Sequence, residues 1–294
     1  MAPPTTPLNI LITGGARGIG RGLSRHFLLA GHTVLVLDSN AAELQHVQRQ
    51  AASASGGAWG PAAAAAGGDR LHTVLCDLRD RQAVARAVGE AERVFGGRLD
   101  VLVNNAFATP HTWRDGRGME DGADEGAAEE IMEQWDEKIA VGLTAPFLLA
   151  RLCVRMLRRA GEEGGRGAGC VVNVASTRAY QAEMDHEAYS AAKAGLIGLT
   201  RAMAVSLGTR HKIRVNSVVP GWIHVGDENE EADREGTRWE DGLGEEDHAW
   251  HPAGRVGKVE DVVKAVEYCI DNDFVTGQEV VVDGGVGRKM VYPE

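Results

Sequence analysis

Tyr189, Lys193 and Ser176 are residues whose types and spacing could support proton transfer. Tyr189 and Lys193 lie four apart at the start of a helical pattern, so they share one helix face. A phenol normally loses its proton near pH 10, and a neighbouring positive charge lowers that pKa. Ser176 lies 13 residues before Tyr189 and ends a short apolar run. This combination could hold a substrate oxygen and exchange a proton with it.

Seven short apolar runs predict the strands that would position these side chains. The runs are continuously apolar rather than alternating, which is typical of strands buried on both faces of a parallel sheet. Each run ends in small or polar residues. The predicted strands are Leu8–Ile12, Val34–Leu37, Leu71–Leu75, Val101–Val103, Val171–Val174, Val215–Val219 and Val280–Val282.

Helical patterns lie between these strands, with apolar residues at spacings of three and four. Their alternation with the strands predicts a single-domain α/β fold: a doubly wound parallel sheet with helices on both faces. Ligands of such sheets bind at the carboxyl ends of the strands, so we expect the site there. The predicted helices are Gly20–Ala30, Asn40–Gln50, Arg81–Phe95, Glu129–Arg159, Tyr189–Leu207 and Val259–Cys269.

The first predicted strand leads into a glycine-rich turn. Gly14, Gly18 and Gly20 permit a tight turn and a close approach of the backbone to a pyrophosphate. The helix that follows offers free N–H groups at its N-terminus. Asp38 ends the second strand 18 residues after Gly20, where a carboxylate can accept hydrogen bonds from both hydroxyls of an adenosine ribose. The sequence therefore predicts a dinucleotide site.

The choice between NAD(H) and NADP(H) depends on two side chains of opposite charge. Asp38 would repel a 2′-phosphate and so favours NAD(H). Arg17, within the glycine turn, could pair with that phosphate, or could equally be a surface side chain. We expect NAD(H) to be favoured over NADP(H).

In their order along the chain, these motifs resemble the short-chain dehydrogenase/reductase family, a group of Rossmann-fold oxidoreductases. The resemblance extends from Leu8 to about Gly285. The motifs that carry it are Thr13-Gly14…Gly18-Ile19-Gly20, Cys76-Asp77-Leu78, Asn104-Asn105-Ala106, Ser176…Tyr189-x-x-x-Lys193, Asn216…Pro220-Gly221 and Thr276-Gly277…Val282-Asp283-Gly284-Gly285.

The resemblance implies an NAD(P)-dependent enzyme that interconverts a secondary alcohol and a ketone. It implies that Tyr189 is the general acid/base, that Ser176 holds the substrate oxygen, and that Lys193 acidifies the phenol and binds the nicotinamide ribose. The expected cofactor contacts are Gly14, Arg17, Gly18, Ile19, Gly20, Asp38, Asp77, Leu78, Asn104, Ala106, Tyr189, Lys193, Pro220, Gly221 and Ile223.

Two residues depart from the family pattern. Phe107 stands where glycine usually follows Asn-Asn-Ala, and could narrow the cofactor groove or shape the substrate pocket. Gly142 replaces an asparagine that, by resemblance, holds a water in a proton relay from the lysine. If a second water fills that space, the enzyme is slower but competent, and asparagine at position 142 should raise turnover or leave it unchanged. The alternative is a cofactor-binding protein of the same fold with weak or no turnover, acting as a scaffold or sensor.

Acidic residues concentrate in two segments of this chain of net charge -11. Trp222–His251 holds 11 Asp and Glu against 2 Arg, and Arg114–Glu130 holds 7 against 2. Solvated surface is the simpler interpretation. By resemblance, however, residues 222–251 form the substrate lid, with the irregular insertion 107–130 beside the same mouth. A negative field there would disfavour anionic substrates, so we expect a small neutral or cationic substrate.

Composition excludes several other classes. The acidic balance speaks against a broad nucleic-acid-binding surface, and no apolar run reaches the roughly 20 residues of a membrane helix. The four cysteines are widely spaced without a CxxC pair, so neither a zinc site nor a disulfide framework is suggested. His224, His248 and His251 match no standard metal-site spacing. We expect no metal and a cytoplasmic location and, by resemblance, a homodimer or homotetramer. A further irregular, Ala- and Gly-rich excursion is predicted over residues 51–69.

Overall fold

A computed structural model of the chain describes residues 7–53, 59–60, 68–121, 128–163 and 167–290. The predicted excursion 51–69 lies mostly outside these residues. So do residues 122–127 of the predicted insertion 107–130.

Seven parallel strands form one sheet in the order β3-β2-β1-β4-β5-β6-β7. The chain order reverses between β1 and β4, and this reversal opens a crevice at the carboxyl ends of the strands. The predicted doubly wound sheet is thereby confirmed. The strands are β1 Asn9–Thr13, β2 Thr33–Asp38, β3 Leu71–Leu75, β4 Val101–Asn104, β5 Cys170–Val174, β6 Arg214–Pro220 and β7 Glu279–Val282.

Helices cover both faces of the sheet, and two short ones lie in the 222–251 segment. One face carries α1 Gly18–Leu29, α2 Ala41–Ala52 and α9 Val259–Asp271. The other carries α3 Arg81–Val94, α5 Ala145–Glu163 and α6 Glu187–His211, with α4 Ala128–Ile139 leading into α5. The short helices are α7 Glu230–Glu235 and α8 Glu245–Ala249.

Successive residues of the central strands enter two separate cores. Ile10 of β1 belongs to the cluster that contains Phe27 of α1 and Val266 of α9. Leu11, the next residue, belongs to the cluster that contains Leu149 of α5 on the opposite face. Because both faces are buried, both alternating sets must be apolar, which explains the continuous runs in the sequence. Each fully buried leucine or phenylalanine side chain contributes about 1.5–3 kcal/mol to stability.

A π-helical turn, Ala140–Thr144, joins α4 to α5. By length and composition, residues 129–160 could span a membrane. In the fold, however, Leu149, Cys153 and Leu157 of this stretch are fully buried among residues of the sheet and neighbouring helices. These three residues pack one face of α5 into the core, and the π-helical turn faces the candidate site. Such turns are frequent at functional sites.

Candidate active site

A cavity of about 1120 Å³ lies at the carboxyl ends of the strands. It is lined by the glycine turn and Asp38 on the β1–β2 side, and by Ser176, Tyr189 and Lys193 on the β5–α6 side. Pockets for drug-sized ligands are usually about 300–1,000 Å³. The cavity is therefore large enough for a long ligand together with a second, small molecule.

Most of the residues predicted from the sequence to form the site line this cavity, but two of them do not. The residues that line it are Gly14, Arg17, Gly18, Ile19, Asp38, Asp77, Leu78, Ala106, Ser176, Tyr189, Lys193, Pro220, Gly221 and Ile223. The exceptions are Gly20 and Asn104.

Asn104 is replaced in the cavity wall by its neighbour Asn105. The register pairs Asn104 with Thr13 and Asn173 inside the sheet, where its Nδ2 donates to Asn173 Oδ1 at 2.8 Å. Asn105 follows the strand and lines the cavity. Its Nδ2 donates to the carbonyl oxygens of Thr13 and Gly14 at 3.1 and 3.0 Å. Asn105 therefore holds the start of the glycine turn in place.

The glycine turn forms a cradle that side chains would fill. Gly14 and Gly18 adopt left-handed φ values of +61° and +56°, which favour glycine. A Cβ at Gly14 would lie 2.8 Å from the Cα of Ala106. One at Gly20 would lie 2.0 Å from the carbonyl oxygen of Gly14, so Gly20 acts by letting α1 pack closely on the turn. The N-terminus of α1 and the bare backbone of the turn fit the diphosphate of a dinucleotide.

Two carboxylates, those of Asp38 and Asp77, lie at the end of the cavity beyond the glycine turn. Asp38 accepts hydrogen bonds from the backbone N–H groups of Asn40 at 3.0 Å and Ala16 at 3.2 Å, which fixes its side chain at the end of β2. Asp77 pairs with Arg79, Nη2 to Oδ2 at 2.6 Å, and this hydrogen bond holds the pKa of the Asp77 carboxyl below its usual range. Arg17 lines the same part of the cavity.

Ser176, Tyr189 and Lys193 meet at the other end of the cavity, where they are only 7, 8 and 3% exposed. Ser176 lies two residues after the end of β5, at the start of the turn Thr177–Ala179, and its side chain is hydrogen-bonded to Tyr189. Tyr189 and Lys193 lie one turn apart on α6. The Lys193 ammonium donates to the carbonyl oxygen of Val174 at 2.8 Å and lies 5.5 Å from the centroid of the Tyr189 ring. The side chains predicted to exchange a proton therefore form one buried cluster.

Burial has opposite effects on the two titratable groups of this cluster. It raises the pKa of Tyr189, while the hydrogen bond from Ser176 and the positive charge of Arg178 oppose that rise. It lowers the pKa of Lys193 to about 7. The Tyr189 hydroxyl is therefore protonated at neutral pH, and Lys193 carries only part of a charge there.

We expect Lys193→Met to stabilise the fold in a pH-dependent way. The unfolded chain binds the Lys193 proton with a pKa near 10.4, whereas the folded chain binds it with a pKa of about 7. The free-energy cost of burying the charged Lys193 is therefore fully present below pH 7. This cost declines as the pH rises toward the pKa that Lys193 has in the unfolded chain. The gain in free energy of unfolding should be about 2–3 kcal/mol larger at pH 6 than at pH 9.

Denaturant titrations at these two pH values measure this difference. Lys264→Met, at an exposed lysine of α9, is the matched control and should show no comparable dependence on pH. An equal gain from Lys193→Met at both pH values would contradict the expectation.

Phe107 and Gly142 form a pair matched in size. A Cβ at Gly142 would lie 2.4 Å from Cε2 of Phe107 and 3.1 Å from the Cβ of Ala192. The Phe107 ring also contacts Tyr189 edge-on, with centroids 4.7 Å apart, and its centroid lies 5.1 Å from the Lys193 ammonium. The expectation that a water fills the space at position 142 is therefore wrong, because the ring occupies it.

His111 is a further cavity residue, and the sequence analysis missed it. Its ring stacks on Tyr189 with centroids 4.3 Å apart and planes 24° apart. Burial lowers its pKa to about 4, helped by the positive charges of Lys193 and His186, so its imidazole is neutral at pH 7. His111 lies in the irregular segment after β4, where no periodicity or spacing distinguishes a functional residue.

Three of the 11 acidic residues of the 222–251 segment pair with helices on the glycine-turn side of the fold. Glu228 pairs with Arg25 of α1 at 2.5 Å, and Asp233 with Arg21 of α1 at 2.5 Å. Glu230 pairs with Arg49 of α2 at 2.9 Å. These pairings balance the charges of Glu228, Glu230 and Asp233 beside α1 and α2, and so reduce the negative field expected from this segment.

The same segment nevertheless forms one wall of the cavity. Trp222, Ile223, Val225, Trp250 and His251 all line it. The carbonyl oxygen of Glu228 also accepts a hydrogen bond from the N–H of Gly18 at 2.8 Å, which ties this wall to the glycine turn.

Two histidines of this segment make hydrogen bonds with the backbone in or near it. Nδ1 of His251 bonds the carbonyl oxygen of Asp247 at 2.9 Å, and Nδ1 of His248 accepts from the N–H of Val256 at 3.3 Å. Among the residues that the structure describes, no group of three or more His, Cys, Asp or Glu side chains is arranged to hold a metal ion.

Comparison with known proteins gives consistent matches over nearly the whole chain. Residues 14–287 match the family described as enoyl-(acyl carrier protein) reductase. An uncharacterized oxidoreductase from Thermotoga maritima is 34% identical over 97% of both chains. A (2S)-[(R)-hydroxy(phenyl)methyl]succinyl-CoA dehydrogenase subunit from Thauera aromatica is 32% identical over 94% of both.

A solved structure shows the same likeness in three dimensions. The apo SCOR enzyme from Clostridium thermocellum aligns with a TM-score of 0.73 and 32% identity, covering 98% of this chain and 96% of the other. The chain therefore belongs to the short-chain dehydrogenase/reductase family, whose members are NAD(P)-dependent oxidoreductases.

Proposed function

We propose that this protein interconverts a secondary alcohol and a ketone with NAD(H) as the cofactor. The proposal rests on one observation, namely that two structural features line the same cavity. The cradle suited to a diphosphate and the buried cluster of Ser176, Tyr189 and Lys193 line the same continuous space.

The chain's own residues would hold the substrate and manage its proton. When bound, the nicotinamide would supply or accept the hydride. In the direction of reduction, the protonated Tyr189 hydroxyl gives its proton to the substrate oxygen, and in oxidation it takes one back. Ser176 donates a hydrogen bond to that oxygen, and the positive charge of Lys193 favours the phenolate once the proton has left.

The aromatic neighbours of Tyr189 support this role by holding the phenol in one orientation. His111 stacks on its face and Phe107 meets it edge-on. Pre-positioning of the reacting groups contributes much of the rate of such reactions.

Asp38 supports the preference for NAD(H). Its carboxylate lies at the end of β2 in the cavity wall, held by two backbone N–H groups, where a ribose can donate to it and a 2′-phosphate would be repelled. Arg17 lines the cavity too and is the group that could accommodate NADPH. Asp77 and Leu78 complete the proposed adenine site, beside Ala106 and Asn105.

Further features support the proposed oligomeric assembly and cytoplasmic location. Met132, Phe147 and Val205 of helices α4, α5 and α6 are exposed apolar side chains, which suits pairing of these helices in a homodimer or homotetramer. The four cysteines are free thiols, as is usual in the cytoplasm. Pairing of Glu228, Glu230 and Asp233 with arginines weakens the argument for a neutral or cationic substrate.

The test combines cofactor binding with turnover. Titration of NADH and NADPH, followed by nucleotide fluorescence, should show tighter binding of NADH, and a panel of ketones should reveal NADH-dependent reduction. Asp38→Asn should shift the NADPH-to-NADH affinity ratio toward NADPH by about tenfold, because removing a charge beside a phosphate is worth about 1–2 kcal/mol. Arg17→Met is the paired variant and should shift the ratio the other way.

The outcomes separate the alternatives. Failure of both nucleotides to bind would refute the proposal. Binding without turnover of any ketone or alcohol would instead support the scaffold or sensor alternative that Gly142 and Phe107 raise.

A further inference from the structure

We propose that the substrate carries a carboxylate, that Arg178 binds it, and that Glu183 occupies the carboxylate's position until the substrate arrives. The inference rests on the proposed function, because it assigns a substrate class to the same cavity. It reverses the sequence-based expectation of a neutral or cationic substrate.

The turn that presents Ser176 also presents Arg178. The backbone N–H of Arg178 donates to Ser176 Oγ at 3.2 Å, and that of Ala179 donates to the carbonyl oxygen of Ser176 at 3.1 Å. The short helical turn Thr177–Ala179 is thereby anchored to the residue that would hold the substrate oxygen. The Arg178 side chain lines the cavity and is 34% exposed.

A chain of contacts connects Arg178 to the proposed proton donor. The His186 ring lies 6.0 Å from the Tyr189 ring, centroid to centroid. Oε2 of Glu183 lies 3.9 Å from Nε2 of His186 and forms an ion pair with Nη2 of Arg178. The guanidinium is also close enough for its charge to oppose the rise in the pKa of Tyr189. A molecule whose oxygen meets Tyr189 therefore needs only a short extension to reach Arg178.

The charges around this end of the cavity favour an anion. Arg178 and the partly charged Lys193 line it, and Glu183 is the carboxylate that lies beside them. In a partly desolvated cavity, an arginine guanidinium binds a carboxylate through two parallel hydrogen bonds.

Three other carboxylates in the wall are paired with arginines elsewhere. Glu228 is bound to Arg25, and Glu137 to Arg79 and Arg114. Glu231 lies 3.4 Å from Arg234. None of these arginines belongs to the Ser176–Tyr189 end, so the positive charge of Arg178 is balanced there by Glu183.

Glu183 can leave its position at small cost. It is 49% exposed and lies between Tyr180 and α6, beside Met184, which is 83% exposed. Ion pairs with such exposure stabilise a fold by about 0–1 kcal/mol. A substrate whose ketone oxygen contacts Ser176 and Tyr189 would bring its carboxylate to Arg178. It would displace Glu183 and form the ion pair with Arg178 in its place.

Matched substrates test the inference. Oxo acids of two to four carbons between ketone and carboxylate are compared with their methyl esters, which keep the ketone and lose the charge. With NADH, kcat/KM for the best acid should exceed that for its ester by at least about tenfold, the effect of one charge-assisted contact. Arg178→Met should reduce this acid-to-ester ratio about 10–100-fold, Arg178→Lys should reduce it less, and Glu183→Gln should raise it.

Arg155→Met is the control, since Arg155 is a well-exposed arginine on α5, outside the cavity. It should leave the acid-to-ester ratio unchanged. Equal kcat/KM values for acids and esters, or equal losses for both in Arg178→Met, would overturn the inference while leaving the oxidoreductase proposal intact.

A binding measurement covers the case in which no ketone is turned over. Thermal unfolding of the protein with NADH is followed with and without the oxo acids and their esters. Stabilisation by an acid that is lost in Arg178→Met would support the carboxylate site even though the proposed reaction had failed. Equal effects of acid and ester, or none, would refute it.

Discussion

Replacing Tyr189 by phenylalanine should lower turnover about a thousandfold while leaving NADH affinity within about twofold, because general acid/base catalysis contributes 10²–10⁴-fold. The variant loses the hydroxyl that would exchange a proton with the substrate oxygen. It keeps the ring that stacks on His111 and meets Phe107 edge-on, so the fold and the cavity wall are preserved. Steady-state kinetics and NADH fluorescence titration on the same preparation give both quantities.

Tyr180→Phe supplies the matched control for this substitution. Tyr180 is an exposed tyrosine near the same cavity and should tolerate loss of its hydroxyl with little change in turnover. Turnover by Tyr189→Phe within tenfold of the wild type would show that another group supplies the proton. A parallel loss of NADH binding would show that the substitution had disturbed the site as a whole.

Gly142→Asn should destabilise the protein and lower turnover, in contrast to the gain expected from the sequence. The first atom of the new side chain would lie 2.4 Å from the Phe107 ring, and Ala192 of α6 closes the other side. The strain must move either the π-helical turn or the ring that lies against Tyr189. Overpacking of this kind costs about 1–3 kcal/mol. We therefore expect the free energy of unfolding to fall by that amount and kcat to fall by at least about tenfold, since small displacements of reacting groups are costly.

A second substitution should rescue the first. Phe107→Gly combined with Gly142→Asn restores the space, so the double variant should be more stable and more active than Gly142→Asn alone. The coupling between two contacting sites is measured directly by the double-mutant cycle of unfolding free energy and kcat. If the effects of the two substitutions on unfolding free energy and kcat were additive, the inference that Phe107 and Gly142 are matched in size would be contradicted.

Gly198→Asn provides the control for this cycle. Gly198 lies on an exposed position of α6, where an added Cβ meets no atom within 4 Å. The same glycine-to-asparagine change should therefore be tolerated there, with no effect on turnover. A loss as large as that of Gly142→Asn would indicate a general cost of the substitution rather than a clash with Phe107.

Local patterns were sufficient to predict the fold and the backbone of the site. The seven apolar runs correspond to the seven strands, because strands buried on both faces leave a pattern within a few residues. The glycine turn could be predicted because the left-handed backbone at Gly14 and Gly18 favours glycine at those two positions. Tyr189 and Lys193 were readable because helical geometry alone places residues four apart on one face.

Details that depend on register were less accessible. Asn104 was predicted at the cofactor, but its pairing with Thr13 and Asn173 places it inside the sheet, and Asn105 lines the cavity. The helical pattern over 129–159 was correct as an element, whereas the π-helical turn at Ala140–Thr144 carried no periodic sign. One residue of offset, or one widened turn, changes which side chain faces the cavity without changing the hydrophobic pattern.

By itself, the sequence determined the element types, the order of motifs and the residues Ser176, Tyr189 and Lys193 as a candidate cluster, since each depends on residues close together in the chain. Only the tertiary structure decided which distant residues meet. Phe107 fills the space beside Gly142, 35 positions away. Three acids of the 222–251 segment, Glu228, Glu230 and Asp233, pair with arginines of α1 and α2 about 200 positions away. Electrostatic and packing interactions depend on distances in space. The spacing of residues along the chain does not indicate which distant residues the fold brings into contact.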